Sequence, residues 1–459
     1  MLKDITLDTI HMIKNRSFSQ YAQIYTNIEQ STLEQIETFG VPLQKRVSKY
    51  EKDRRLEELR KKGATVRNQN KSVVTNRISS ACEACQTGVG SYTTYPSLKC
   101  HRKCYFCFNP NQDDYQIHVN QQKDINEELT RLLDRGITLR HLALTGGEPL
   151  LFKKETIEFF ELANQLTPDT HTRLYTTGDL LDIETLEQLK TANLNEIRFS
   201  IKMEDSLQKI SHILSQIKLA KNYIPDVLVE MPVIPGTVEE MKKLLLELEK
   251  LEIFGINLLE FCFPLGNANA FTERGFELKN PPYEMYYNYW YAGGLAVADS
   301  EKECLDLVDF ALENELKLGV HYCSLVNKYT GQIYQQNVNE TLDSTYLFSN
   351  RDYYFKTAKG FGKDRDRIKP TLIKKKIPFE ENDEYSFIQF SVEAIPYLRN
   401  KNVEIAISSN VVEEDRGESF IREVGLSWTK PDLFHIEDIL EKKTRGEFNY
   451  DIANANGRF

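Results

Sequence analysis

Within KCHRKCYFCFNP, Cys100, Cys104 and Cys107 stand in a C-x3-C-x2-C spacing. Three thiolates on one loop can hold a cuboidal iron–sulfur cluster. Because a four-iron cluster normally takes four protein ligands, three cysteines leave one iron open to a substrate or cofactor, and an open iron implies catalysis. On spacing alone the alternative is a structural zinc knuckle completed by His101. A second pair, Cys82 and Cys85 in ACEACQTG, ends 15 residues before Cys100 and cannot join the same cage without crowding it. C-x2-C supplies two ligands of another metal site, and Cys323 in GVHYCS is the best distant third. A second iron–sulfur cluster, a zinc site and unpaired thiols all remain open for this group. Cys262, in LEFCFPLG, reads as a small buried hydrophobe. Cys304 sits on a predicted helix, and His321 beside Cys323 is either a ligand or an ordinary partly buried histidine.

The segment HLALTGGEPLL reads as a strand ending in Gly146 and Gly147, followed by Glu148 and Pro149. Glycines there let backbone approach a ligand closely, and the proline fixes the turn. The aromatic run Tyr283, Tyr286, Tyr287, Tyr289, Trp290 and Tyr291 would border such a site or pack against a neighbouring segment. No residue presents itself as a general base.

The elements that must position these groups follow from hydrophobic periodicity. Apolar, β-branched runs alternate with amphipathic stretches from about residue 90 to 325, the pattern of repeated βα units with parallel strands. Six strands are expected: TTYPSL, HLALTG, TRLYTTG, EIRFSIK, VLVEMPVIP and INLLEFCF. The expected organisation is a helical, basic N-terminal extension over 1–80, the βα region with the upstream C-x2-C over 81–325, and a small α+β appendage with a tail over 326–459. Within the extension, GATVRNQNKSVVTNRISS is expected to be a linker or extended strap. The appendage should carry strands at TLIKKKIPF, YSFIQFSVE and VEIAISS.

Taken together, the cysteine loop after the first strand and the GGEP loop after the second resemble the radical S-adenosylmethionine (radical SAM) superfamily. The C-x2-C, the three-cysteine loop and the later HYCS further resemble a branch related to pyruvate formate-lyase activating enzymes. The resemblance implies an α/β fold, a partial (βα)6 barrel, with the active site at the C-terminal ends of its strands. It implies a [4Fe-4S] cluster on Cys100, Cys104 and Cys107, with Phe106 before the last cysteine, and SAM bound at the open iron. Cofactor contacts would come from Gly146, Gly147, Glu148 and Pro149. By strand position they would also come from Thr177 in LYTTGD, from Ser200 and Lys202 of FSIK by period-2 alternation, and from Val233, Ile234 and Gly236 in VEMPVIPG. Reductive cleavage of SAM would give a 5′-deoxyadenosyl radical that abstracts a substrate hydrogen, and a reductant such as flavodoxin or ferredoxin is implied as partner.

Composition narrows the rest. The 459 residues are 41% hydrophobic and 27% charged, as globular chains are. No run suits a membrane span, and the opening MLKDITLDTIHMIK lacks a signal peptide's apolar stretch, so a cytoplasmic protein is expected. Residues 1–80 hold 15 Lys or Arg against 9 Asp or Glu in a chain of net charge −10. The basic stretch QKRVSKYEKDRRLEELRKKG reads as a solvated helix with one apolar stripe (Leu43, Val47, Tyr50, Leu56, Leu59) or as a surface for an acidic peptide or nucleic acid. A peptide substrate, as for a peptide-modifying maturase, is expected first. The alternatives are activation of a glycyl-radical enzyme, RNA modification, or a non-enzymatic iron–sulfur or zinc protein that binds a partner.

Overall fold

The computed structural model describes residues 2–46, 49–282 and 294–441. The tyrosine-rich stretch Tyr283–Tyr291, with Val47, lies outside them, as does the charged end of the chain. The described residues form two compact units, one from 40–46, 49–282 and 294–329, the other from 2–39 and 330–441.

The larger unit is built on a nine-stranded sheet. Its strands in chain order are β1 (Thr65–Arg67), β2 (Ser72–Thr75), β3 (Ser91–Thr94), β4 (His141–Leu144), β5 (His171–Thr176), β6 (Glu196–Phe199), β7 (Asp226–Val233), β8 (Gly255–Glu260) and β9 (Gly319–Cys323). The spatial order is β1-β2-β9-β8-β7-β6-β5-β4-β3, with β3 to β8 and β9 all parallel and β2 antiparallel to β9. All six expected strands are present as parallel neighbours, and GVHYC adds a seventh. Among the described residues β1 and β3 do not pair, so the barrel is partial.

The sheet forms because its strands are buried on both faces, as parallel strands must be: Leu142, Ala143 and Leu144, or Ile197 and Phe199, have no exposed surface. Amphipathic crossover helices cover them. Those over Ile125–Asp134, Ile183–Thr191 and Leu207–Ala220 start at Asp124, Asp182 and Ser206, whose side chains each accept a hydrogen bond from the first turn.

The segment expected as a single N-terminal extension is divided between the units. Residues 65–75 are a two-stranded ribbon of the main sheet, turned by three consecutive positive-φ residues, Asn68, Gln69 and Asn70, and anchored by buried Val73 and Val74. The basic helix Lys49–Lys61 buries Leu56 and Leu59 completely in the barrel core. At about 2 kcal/mol for each buried leucine, that burial outweighs a purely solvated placement.

The second unit carries a separate antiparallel sheet in which the short strand Lys3–Asp4 pairs with the end of Glu418–Thr429, itself the partner of Ile405–Asp415. Two of the three expected strands lie here, within Phe387–Phe390 and Ile405–Asp415. The run TLIKKK is instead the last half of a helix, Lys363–Lys375, because Ile368 and Leu372 recur at i, i+4 and bury one face. Only the end of that run continues into a strand, Phe379–Asn382.

Candidate active site

The C-terminal ends of the parallel strands gather the chemistry-bearing loops. The loop after β3 carries Cys100, Cys104 and Cys107. It is pinned by Leu98 N donating to His118 O at 3.0 Å and Ser97 Oγ to the same oxygen at 2.7 Å. Cys107 N donates to Cys104 O at 3.1 Å, and Arg102 N to Cys100 Sγ at 3.4 Å, which turns the loop around its sulfurs. Burial pushes all three thiols up, and their charges act on one another. Three partly exposed cysteines on a loop wound around its own sulfurs suit a thiolate-bound cluster, which removes the proton and satisfies the sulfur at once.

His101 is engaged elsewhere. Its Nε2 lies 2.6 Å from Asp179 Oδ2, and Arg102 binds the same carboxylate from Nε and Nη2, both at 2.7 Å. Burial would raise the Asp179 carboxyl, but Arg102 and His101 hold it well below the usual range. The fourth ligand of a zinc knuckle is therefore committed to the loop after β5. Moreover, a tetrahedral zinc site needs sulfurs about 3.8 Å apart. Among the described residues the single three-residue group of potential ligands closing within 4.8 Å is His171, Glu196 and Asp226, at the opposite strand ends. Glu196 there already accepts from Arg198 and Ser79.

The GGEP loop follows β4 and lies against the cysteine loop. Gly147 N donates to Ser97 O at 3.1 Å and Glu148 N to Lys99 O at 2.9 Å, while Asn109 Nδ2 donates to Gly146 O at 3.0 Å. A Cβ on Gly146 would stand 2.4 Å from Ser97 O, and one on Gly147 2.0 Å from Lys99 O. The close approach expected of these glycines is thus to the backbone of the cysteine loop. Pro149 is buried and begins a short turn of helix. Glu148 has no exposed surface and accepts from Thr177 N (2.7 Å), Thr177 Oγ1 (2.6 Å), Thr176 Oγ1 (2.8 Å) and Leu150 N (3.1 Å). It braces the loop after β4 against the loop after β5, and Thr177 is the other end of that brace.

β6 stops at Phe199, so Ser200 and Lys202 belong to a loop and their placement does not come from strand alternation. Ser200 is exposed, whereas Lys202 Nζ stands 5.4 Å from the centre of the Tyr105 ring and its charge acts on Cys104. A hollow of about 470 Å³ opens here, lined by Cys104, Arg102, Lys103, Lys202, Asp205 and Lys209. Arg102 is held by Asp179, whereas Lys202 and Lys209 stand at the longer ion-pair distances of 3.6 Å from Glu204 and 3.4 Å from Asp205, which makes these lysines beside Cys104 the cations a carboxylate ligand would draw on. Lys209, at the start of Leu207–Ala220, and the Arg102–Asp179 pair are not marked by spacing. The run TTGD directly after β5 is their only sequence signal.

Phe106 packs edge-on against Tyr105 and Phe261 at 5.1 and 5.4 Å between ring centres. At the end of β7, Val233 and Ile234 are buried, and Gly236 has a φ of +88° with open space, clear to 4 Å, where a Cβ would stand. Its N–H donates to Glu303 Oε1 at 2.7 Å.

The remaining cysteines divide. Cys304 is buried on the helix Ser300–Glu313, away from the others, with Leu259 O its sulfur's nearest acceptor. His321 is buried and bridges Ser72 Oγ (2.9 Å) and Asn257 Oδ1 (3.0 Å), an ordinary structural histidine. Burial lowers its pKa to about 3, so it stays neutral. Cys262 is partly exposed and lies within the fields of Cys107 and Lys328, although burial still lifts its thiol to about 11.

Comparison with known proteins agrees with this geometry. Residues 94–248 match the family model of the radical SAM superfamily. A Methanocaldococcus jannaschii protein provisionally described as a glycyl-radical enzyme activating enzyme is 26% identical over 279 residues, 58% of this chain and 68% of its own. The GTP 3′,8-cyclase of Nautilia profundicola is 31% identical over 112 residues, 24% of this chain and a third of its own. Streptococcus suis SuiB bound to S-adenosylmethionine aligns at 15% identity and a TM-score of 0.38; this chain spans about half of that protein, and the alignment takes in 52% of this one. No helix among the described residues is long and apolar enough to cross a membrane. A radical SAM domain implies a [4Fe-4S] cluster and SAM, and the three-cysteine loop fits the cluster. With its cysteine loop, GGEP brace and parallel half-barrel in the matched segment, the chain carries a radical SAM domain over residues 94–248 and is a radical SAM enzyme.

Proposed function

We propose that this enzyme acts on a polypeptide, abstracting hydrogen from it in the course of modification. When bound, the cluster and SAM supply the radical chemistry. Cys100, Cys104 and Cys107 would hold the cluster, Lys202 and Lys209 would take the SAM carboxylate in the pocket beside Cys104, and Val233, Ile234 and Gly236 would border the adenine. Glu148, through Thr177, would keep the loops after β4 and β5 in register.

The observation that carries the choice of polypeptide over nucleic acid is the use made of the basic segment. Arg55 pairs with Asp306 and Asp309, both at 2.9 Å, and Lys62 with Asp309 at 2.6 Å and Glu313 at 2.7 Å. Lys52 lies 2.7 Å from Glu301, and Arg67 2.8 Å from Glu83. These cations are spent inside the fold of an acidic chain, so the phosphate surface that RNA binding requires is not provided by them.

Peptide modification is the first reading. Activation of a glycyl-radical enzyme, also hydrogen abstraction from a polypeptide, is the second, favoured by the description of the Methanocaldococcus relative. The test is anaerobic turnover by the reconstituted enzyme with a library of acidic and neutral peptides or with bulk transfer RNA. Peptides should raise 5′-deoxyadenosine formation several-fold above the uncoupled rate; stimulation by RNA alone would overturn the proposal.

A further inference from the structure

Cys82 and Cys85 lie at the end of a short helix, Ser80–Ala84, that precedes β3, and this segment reaches the polar interior of the partial barrel. Ser79 and Ser80 meet the first residues of β6 and β4, Glu196 and His141, whereas Cys82 sits deeper. Its Sγ accepts from Arg198 Nη2 at 3.3 Å and from Asn257 Nδ2 at 3.2 Å. Cys323 closes β9, and its Sγ accepts from Asn327 Nδ2 at 3.3 Å. The charges of both Cys85 and Cys82 act on Cys323, and Cys323, Cys262 and Cys85 all act on the half-buried Lys328.

We infer that Cys82, Cys85 and Cys323 hold a second iron–sulfur cluster inside the barrel, compensated by Lys328. This stands independently of the substrate reading. Three features carry it. A neutral thiol is a weak acceptor, yet two sulfurs of the group receive three N–H donors, one of them a guanidinium, as thiolates bound to metal do. The three sulfurs do not all fall within 4.8 Å of one another, which is too open for one tetrahedral ion, and Asn257, the donor to Cys82, also bonds His321, two positions before Cys323 on the same face of β9. A cubane core with two positive charges bearing three thiolates carries one net negative charge, and Lys328, within the fields of Cys323, Cys262 and Cys85, is placed to offset it. Arg198 is already matched by Glu196 and Glu230.

A mononuclear zinc site would need the sulfurs drawn together, and a resting dithiol would not call for a lysine beside it. The partly exposed Cys85 gives iron and sulfide a way in. Cys262 lies within the fields of both Cys107 and Lys328.

The experiment is anaerobic reconstitution of the full chain with ferrous iron and sulfide. The parent should load about eight irons, and the Cys100→Ala, Cys104→Ala, Cys107→Ala variant about four, one cubane's worth. Those residual irons should give an electron paramagnetic resonance signal that SAM does not alter. The Cys82→Ala, Cys85→Ala variant should also load about four, with a signal that SAM does alter. Lys328→Met should keep the parent's iron and move the midpoint of the SAM-insensitive signal to lower potential, because a compensating positive charge is lost. A triple variant devoid of iron, or a parent that loads about four irons and one zinc, would overturn the inference whether or not the double variant folds.

Discussion

The α-carbon of Gly147 faces the carbonyl of Lys99 so closely that a Cβ would stand 2.0 Å from the oxygen. The oxygen belongs to the residue immediately before Cys100. Any side chain at 147 must therefore displace the backbone that presents the first cluster thiol. Gly147→Ala should lose cluster iron and SAM binding together, at a structural cost of more than about 3 kcal/mol. Iron counts and equilibrium dialysis with SAM decide it: a variant with full iron and selectively weakened SAM binding would show that the glycine serves the cofactor directly.

Glu148 makes a different prediction, because its carboxylate is an acceptor for four donors and has no exposure to water. Glu148→Gln turns one end of that acceptor into a donor facing donors. Destabilisation of about 2 kcal/mol is expected, seen as a lower urea midpoint with an unchanged slope. Thr177→Val should reproduce part of this loss, and the double variant should cost less than the sum of the two.

In the hollow beside Cys104, Lys202 and Lys209 hold looser partners than Arg102 does, Glu204 at 3.6 Å and Asp205 at 3.4 Å, against the two 2.7 Å bonds from Arg102 to Asp179. Lys202→Met should weaken SAM binding about tenfold, a charge-assisted hydrogen bond's worth, without lowering the iron content. Lys103→Met serves as a control for general charge. Equal weakening in both would assign the effect to the field of the pocket rather than to a contact by Lys202.

At the other strand ends, His141 and His171 stand 5.6 Å apart. Burial, then the neighbouring His171 and Arg173, lower the His141 pKa to about 4. A histidine held neutral in the folded chain and free to protonate near pH 6.5 when unfolded removes stability as pH falls from about 6.5 towards 4. Between pH 7 and 5 the metal-free parent should lose about 1 kcal/mol more than His141→Gln does. Denaturation curves at the two pH values measure it, and identical losses would remove His141 from the acid response.

Much of the barrel was legible because parallel strands buried on both faces must read as apolar β-branched runs, and all six did so. The seventh strand was visible as GVHYC, but its antiparallel neighbour was not: SVVT is four residues long and set among Asn, Gln and Lys, a pattern that reads as linker until β9 supplies a partner. TLIKKK misled for the opposite reason, since β-branched residues there serve the packing of a helix face. The cysteine spacing was explicit in the sequence, whereas Arg198, Asn257 and Lys328 became relevant only through folding. They are separated from Cys82 and Cys85 by well over a hundred positions, and nothing local marks a lysine as buried.

The pairing of Lys3 and Asp4 with Trp428 and Ser427 has a consequence for synthesis. Lys3 and Asp4 are synthesised before the barrel, and the strand that pairs with them is made after it. At about 5 to 20 residues per second, the amino-terminal segment must wait roughly 20 to 80 seconds for its partners. During that interval Phe18 and Ala22, destined for complete burial, have none of the later-made unit around them. The barrel can mature first, and this sheet closes only once Trp428 has been made, so a ribosome that stops short of Trp428 leaves Lys3 and Asp4 without the strand that orders them.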